Sequence, residues 1–286
     1  MQKQIRTALV TGASSGIGRE TAILLAAEGF QVIAAARRLD RLVELADQNQ
    51  GIIPKQVDLS DSEDVEAFCG YISELPQPVS VLVNNAGYST RGVLEDVALN
   101  KIKRMFEVNV FSLIRVTQAC LPGMRKARAG MIVNLSSIVG KFPFPGSGLY
   151  ASSKYAVEAI TDALRIELAP LGIKVVAIRP GAIATEFGEV AEKMTGDLLS
   201  RTDPDYKPIY QAVKTRMDKI FKNQSASRPQ LIAHLIMEAV LSYPPRAAYA
   251  AGILSDEFLG KRADLNDDEF CRFMLEKFNL SNLMNP

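Results

Sequence analysis

One histidine and three cysteines are all the imidazole and thiol groups that this 286-residue chain offers. Cys69, Cys120 and Cys271 are widely spaced, odd in number and form no C-x-x-C pair, which argues against a zinc site and a disulfide framework. Cys120 lies in an apolar stretch and reads as a buried small hydrophobe, and the set points to a reducing compartment. A histidine-based triad has only His234 to use, and no nucleophile motif accompanies it. His234 sits in an apolar helical stretch and reads as packing. Charge of one sign is missing too: 33 Lys and Arg stand against 32 Asp and Glu, a net charge of +1. No basic excess exists to neutralise nucleic-acid phosphates. No run approaches the roughly 18 apolar residues of a membrane span. The apolar residues 5–10 pass straight into a glycine motif and leave no room for a signal peptide. The expectation is a cytoplasmic protein with no integral membrane segment, no nucleic-acid partner and no metal.

What is present is alternation. With 48% hydrophobic residues the chain can build one large α/β domain or two small ones. Apolar runs at 5–10, 31–36, 52–57, 79–84, 131–136 and 173–179 read as strands, and 16–28, 40–48, 62–74, 100–126 and 150–169 as helices. Several runs are continuous in Val, Ile, Leu and Ala, the pattern of parallel strands buried on both faces. Strand-helix alternation with short connections predicts a doubly wound, Rossmann-like α/β fold. Beyond Pro180 the pattern changes: two helical patterns flank a break at 201–205, where a sheet fold needs only a loop. A helix at 228–242, a short last strand at 247–250 and a final surface helix at 267–278 follow. The expectation is one domain over 1–286, with a helical flap at about 186–227 and a C-terminal tail at about 252–286.

Thr11-Gly-Ala-Ser-Ser-Gly-Ile-Gly18 follows a strand and opens a helix. In that context Gly12 allows a tight turn, Gly16 a close backbone approach to a pyrophosphate, and Gly18 close packing of helix on sheet. The free N–H groups and dipole of the new helix favour phosphate. A carboxylate at the end of the second strand would accept from the ribose 2′-hydroxyl and select NAD. Here Ala36 stands at that position, followed by Arg37 and Arg38, and planar cations suit a 2′-phosphate. Ser14 adds a hydroxyl. The reading is NADP(H) in preference to NAD(H).

Tyr-x-x-x-Lys occurs twice, at Tyr150/Lys154 and Tyr210/Lys214. Only the first has a buried strand ending in hydroxyls thirteen residues upstream; the corresponding position before Tyr210 is Asp197. Tyr210 and Lys214 are therefore assigned to the flap surface. Four residues apart on a helix, Tyr150 and Lys154 share a face. An adjacent ammonium lowers a phenol from its usual pKa of about 10, matching Tyr150 to proton exchange with a carbonyl or alcohol oxygen. Ser136 would point to the opposite face of its strand, which leaves Ser137 to hold the same oxygen.

The glycine turn followed by Ser137, Tyr150 and Lys154 resembles the short-chain dehydrogenase/reductase family over about residues 5–185. The resemblance implies a catalytic set of Asn109, Ser137, Tyr150 and Lys154, with Asn109 linking Lys154 through water to solvent. From the residues alone, Asn109 reads as a polar side chain bonding a neighbouring turn. The resemblance also implies a cofactor cradled by Gly12, Ser14, Ser15, Gly16, Ile17 and Gly18, with Asp58 on the adenine amino group and Leu59 beside it. Asn85, Ala86 and Gly87 would serve the adenosine side, and Tyr150 and Lys154 the nicotinamide ribose. Pro180, Gly181, Ile183 and Thr185 would cover the nicotinamide and the phosphates. By their own chemistry, Asp58 also suits a helix cap and Asn85 a structural role.

The substrate loops, 87–94, 138–149 and the flap, carry Tyr88, Phe142, Phe144, Leu149, Phe187, Met194 and Leu198. As a set they suit a hydrophobic carbonyl or alcohol, although each taken singly reads as packing. Flap and tail together resemble those of hydroxysteroid and retinol dehydrogenases. A non-catalytic NADP(H)-binding sensor on the same fold is the alternative, disfavoured because all four catalytic positions are filled. Apolar faces on 100–126 and 150–169 suggest a homodimer or homotetramer.

Overall fold

The computed structural model describes residues 6–195, 202–223 and 226–283. Seven strands form one sheet in the order β3-β2-β1-β4-β5-β6-β7, and each neighbouring pair is parallel. They are β1 (Arg6–Thr11), β2 (Phe30–Ala36), β3 (Ile52–Gln56), β4 (Val79–Asn84), β5 (Gly130–Leu135), β6 (Ile173–Pro180) and β7 (Ala248–Ala251). This is the doubly wound fold that the apolar runs predict. Ile5, the expected first strand residue, lies outside the described residues.

Period-two alternation divides each strand between two cores. Ala8 and Val10 of β1 join Ala22 and Leu25 of α1 (Gly16–Ala27) in one apolar cluster, which also takes in Leu42 and Leu45 of α2 (Leu39–Gln48). Leu9 points the other way, into a cluster with Phe68 of α3 (Ser62–Ser73) and residues of the long helices that follow β4 and β5. With both faces covered, the strands have no need of polar positions, which explains their unbroken apolar sequences.

The chain leaves β1 toward β2 and β3, then returns to place β4 on the other side of β1. The connections after β1 and β4 thus diverge at the carboxyl ends of the strands and leave a crevice. A buried polar line sits just below it. Asn84 Nδ2 donates to Thr117 Oγ1 (3.0 Å) and to Asn134 Oδ1 (2.9 Å), and Asn134 Nδ2 donates to Thr161 Oγ1 (2.9 Å). These bonds tie β4 to β5 and to the helices that carry Thr117 and Thr161 on one face of the sheet, a register constraint that apolar packing alone does not supply.

The predicted helix at 100–126 is not continuous. It comprises α4 (Leu99–Phe106), a π-helical turn Glu107–Phe111 and α5 (Ser112–Ala127). Helix α6 (Gly148–Leu168) follows β5. Beyond β6 come α7 (Phe187–Thr195) and α8 (Lys207–Asn223), the two helical patterns expected of the flap, and α9 (Pro229–Leu241), which packs on α1. His234 is exposed on α9 and its Nδ1 lies 2.7 Å from the Gln230 carbonyl oxygen. The expectation of packing is thus corrected: its ring bonds within its own helix and faces solvent.

The tail forms α10 (Ser255–Asp264), which sequence reading missed, and α11 (Asp267–Lys277). Helix α11 opens with a reciprocal capping box between Asn266 and Glu269. It is no mere surface helix: Phe270, Met274 and the following Phe278 are buried with Phe258 and Phe142. Among the described residues, no helix is long and apolar enough to cross a membrane.

Candidate active site

Helix α1 begins at Gly16 without a side-chain cap. Ser15 holds the extended backbone of an N-cap yet makes no capping bond, and the first turn carries no acid. Its leading N–H groups and the positive end of its dipole are left for an anion. Gly12 (φ +68°) and Gly16 (φ +55°) adopt the left-handed backbone that side chains disfavour. A Cβ at Gly18 would lie 2.4 Å from Asn85 Nδ2 and 2.5 Å from the Gly12 oxygen. The absent side chain therefore lets α1 pack against the turn itself rather than against the sheet in general. Asn85 holds that turn, donating from Nδ2 to the carbonyls of Thr11 (2.9 Å) and Gly12 (3.2 Å). Asn85 and Ala86 each donate their N–H to Thr11 Oγ1, both at 3.1 Å. These contacts pull the end of β4 onto the glycine turn across the crevice. The cradle fits a dinucleotide: an uncapped helix start beside a backbone surface where added side chains would clash.

The two arginines after β2 part company. Arg38 faces the cradle, donating from Nε (3.2 Å) and Nη2 (3.1 Å) to Ser14 Oγ and from Nη2 to Ser15 Oγ (2.8 Å). Its Nη1 meets Glu186 Oε2 at 2.7 Å, and Arg41 Nη1 meets Oε1 of the same carboxylate at 2.5 Å. Arg37 is exposed and acts on Asp58. Burial tends to raise the Asp58 carboxyl, but hydrogen bonds from Ser60 and the charges of Arg37 and Arg104 hold it below its usual range. Asp58 Oδ1 accepts from Ser60 N (2.9 Å) and Oγ (2.8 Å), a local turn, while the cap of α3 is Asp61. Leu59 beside it is buried.

At the other end of the crevice, Ser137 stands two residues past β5 and is buried. Its Oγ donates to the Pro180 carbonyl (3.4 Å), accepts from Val139 N–H (3.3 Å) and forms a side-chain hydrogen bond with the Tyr150 phenol. Lys154, one turn along α6, is buried with Nζ donating to the Leu135 carbonyl at 2.7 Å and lying 5.8 Å from the Tyr150 ring centre. Burial pushes the Lys154 ammonium down to about 8, against the opposing charge of Glu158. It pushes the Tyr150 phenol above its ordinary value, and neither Ser137 nor the charge of Arg91 offsets that. The lowered phenol expected from Lys154 is thus not what the protein alone provides, because desolvation outweighs the Ser137 bond and the Arg91 charge.

Asn109 sits in the π-turn, and its bonds leave its own helix. Oδ1 accepts from Tyr88 N–H (3.0 Å), and Nδ2 donates to the Tyr88 carbonyl (2.9 Å) and to Ser153 Oγ (3.0 Å). A Cβ at Gly87 would lie 3.1 Å from Asn109 Oδ1 and 3.5 Å from Lys154 Nζ, so both side-chain ends lie against this glycine. Widened helical turns of this kind recur at functional sites.

The segment after β6 closes the crevice. Thr185 presses on the cradle, its Cγ2 3.0 Å from where a Gly16 Cβ would stand. Ile183 packs into the sheet core. Gly181 serves a close approach: a Cβ there would meet the Ile253 carbonyl at 2.2 Å. Phe187 sets its ring 5.5 Å from that of Tyr150. Tyr88 and Leu149 are buried around Tyr150. Phe142 is withdrawn from any substrate: it is fully buried and stacks on Phe258 of the tail at 5.3 Å. Leu198 and the side chain of Met194 lie outside the described residues. Tyr210 is not idle surface. Its hydroxyl accepts from Val93 N–H (2.7 Å) and donates to Asp96 (3.0 Å), fastening α8 to the loop after β4. Lys214 is exposed. A cavity of about 560 Å³ opens between that loop, residues 143–149 and α11, with Phe144, Leu149, Phe270 and Met274 in its walls.

Sequence reading missed Glu158, Arg179, Arg41 and Glu186. For Glu158 a signal existed, since it follows Lys154 by four residues. For Glu186 none did, as it meets Arg38 across 148 positions.

The family model described as short chain dehydrogenase matches residues 6–195. A probable short-chain type dehydrogenase/reductase, VdlC of Helicobacter pylori, is 34% identical over 86% of this chain and 88% of its own. Retinol dehydrogenase 8 of Bos taurus is 31% identical over 84% of this chain and 79% of its own. The crystal structure of a short-chain dehydrogenase from Streptomyces avermitilis superposes with a TM-score of 0.80 at 30% identity, covering 100% of both chains. Three more distant structures of this fold were solved with NADP+, NADPH or 5-hydroxy-NADP bound.

Proposed function

This chain belongs to the short-chain dehydrogenase family, and from that premise we propose that it is an NADP(H)-dependent oxidoreductase interconverting a hydrophobic ketone or aldehyde and its alcohol. The observation that carries the reading is the convergence of Ser137, Tyr150 and Lys154 beside an uncapped, glycine-lined helix start. A non-catalytic sensor needs the second feature but not the first.

The nicotinamide, when bound, supplies or takes the hydride. The chain's own residues handle the proton and the geometry. Tyr150, kept protonated by burial, gives its proton to the substrate oxygen, and Ser137 Oγ holds the same oxygen by a hydrogen bond that strengthens as charge develops there. Lys154 sets a cation beside the tyrosine and reaches the nicotinamide ribose. Asn109 anchors the Tyr88 backbone and offers Oδ1 toward Lys154, a route for returning the proton from solvent. Arg38, with Ser14 and Ser15, holds the 2′-phosphate; Asp58 and Leu59 take the adenine. Gly16, Ile17 and Gly18 meet the pyrophosphate, with Pro180, Gly181, Ile183 and Thr185 closing over it.

The apolar cavity lined in part by Leu149, the residue before Tyr150, supports a hydrophobic substrate. Exposed Phe111, Tyr155 and Ile166, on the π-turn and α6, support self-association. The test is oxidation of NADPH and NADH by the purified protein against hydrophobic ketones and aldehydes, including steroids and retinal, with Tyr150→Phe in parallel. NADPH-preferring turnover that collapses in the variant is expected. NADPH binding with no turnover across the panel would favour the sensor.

A further inference from the structure

Glu186 stands at the start of the flap, between Thr185, which presses on Gly16, and Phe187, which packs on Tyr150. Each of its carboxylate oxygens takes a different guanidinium, Oε2 that of Arg38 and Oε1 that of Arg41. Arg38 at the same time bonds the hydroxyls of Ser14 and Ser15. Two cations and two hydroxyls therefore converge at the adenosine end of the cradle, with an anion of the protein already among them.

A ribose 2′-phosphate carries nearly two negative charges at neutral pH and seeks guanidinium forks and hydroxyls of this kind. It cannot share the pair with a carboxylate without strong like-charge repulsion. The hydrogen bonds from Arg38 and Arg41 hold the Glu186 carboxyl below its usual range, so it stays ionised wherever the phosphate is ionised. The Arg38, Arg41 and Glu186 side chains are 40%, 42% and 37% exposed, so water can take over their bonds. At such exposure the clasp is weak enough for a ligand to open.

We propose that Glu186 is an internal counter-anion in the 2′-phosphate subsite, that Arg41 completes this subsite with Arg38, and that NADP(H) binds by displacing the Glu186 carboxylate. The inference rests on the NADP(H) reading given above. A dinucleotide lacking the 2′-phosphate leaves the clasp shut. Because Glu186 adjoins Phe187, displacement also loosens the turn that rests on Tyr150, linking cofactor identity to the substrate end.

Calorimetric titration of the full chain with adenosine 2′,5′-bisphosphate and with adenosine 5′-monophosphate tests this. Glu186→Gln is expected to bind the bisphosphate about fivefold tighter, and Arg41→Gln about fivefold weaker, the scale of one partly exposed charge contact. Unchanged monophosphate affinity in both variants reports an intact cradle. Equal affinity of the unaltered protein for the two nucleotides would overturn the NADP(H) reading and this inference with it. A preference for bisphosphate that Glu186→Gln leaves unchanged or weakens overturns the inference alone. So does an Arg41→Gln variant with undiminished bisphosphate affinity.

Discussion

Glu158 and Arg179 meet in a bidentate ion pair, Nε to Oε1 at 3.0 Å and Nη2 to Oε2 at 2.6 Å, one helical turn beyond Lys154. Glu158 is almost fully buried, and Arg179 immediately precedes the Pro180-Gly181 turn. The pair thus joins α6, which carries Tyr150 and Lys154, to the strand that leads into the turn after β6. Its charge is also the one felt by Lys154.

Glu158→Gln leaves Arg179 without its bidentate carboxylate partner. Breaking one partner of a buried pair costs roughly 3 kcal/mol, and chemical denaturation should show a loss of that order. Retention of full stability would mean that solvent already screens Arg179.

The pH dependence follows from Lys154, lowered from 10.5 to about 8 by burial. Between those values the unfolded chain binds the extra proton, so Lys154 makes stability rise with pH across that window. Catalysis needs the cation and runs the opposite way: kcat/KM for NADPH-driven reduction should fall as pH rises through about 8. Glu158→Gln should move that midpoint lower, because the Glu158 charge favours the ammonium. A pH–rate profile of both proteins measures it.

Tyr150→Phe removes the proton donor and keeps the ring packing against Phe187. The expected loss in kcat is about 10²- to 10⁴-fold, the usual worth of a positioned acid. NADPH affinity, read by fluorescence titration, should hardly change.

Arg38→Gln should weaken NADPH by roughly 10- to 100-fold, the scale of lost charge-assisted bonds to a phosphate. NADH should be almost unaffected. Arg37→Gln should do less, because Arg37 lies toward Asp58 rather than toward Ser14. Equal losses for both dinucleotides would assign Arg38 to the fold rather than to the phosphate.

Gly18→Ala drives a methyl into Asn85 and the Gly12 carbonyl, neither free to move. Overpacking of this kind costs about 1–3 kcal/mol, and nucleotide binding should fall with it. Gly188→Ala is the control: nothing lies within 4 Å of that added carbon. Thermal melts of the two variants should separate cleanly.

Much of the site was legible from sequence because its chemistry is locally encoded. Gly12, Gly16 and Gly18 mark positions where backbone geometry and crowding exclude side chains. The spacing of Tyr150 and Lys154 is a helical period, and the apolar runs are a two-faced burial pattern. These signals span a few residues and survive in one dimension. Phe142 shows the limit: an aromatic in a substrate loop says nothing of whether a ligand or the tail will cover it, and here Phe258 does.

The sequence by itself thus determined the alternating fold, the glycine turn that opens α1 and the shared face of Tyr150 and Lys154, each set by local backbone preference and periodicity. Tertiary structure alone decided the π-turn that turns Asn109 toward Tyr88 and Ser153, the parting of Arg37 from Arg38, and the Glu186 clasp. It also decided the state of the Tyr150 phenol, which burial raises against Ser137 and the charge of Arg91. These outcomes depend on desolvation and on partners up to 148 residues distant, quantities that exist only once the chain has packed.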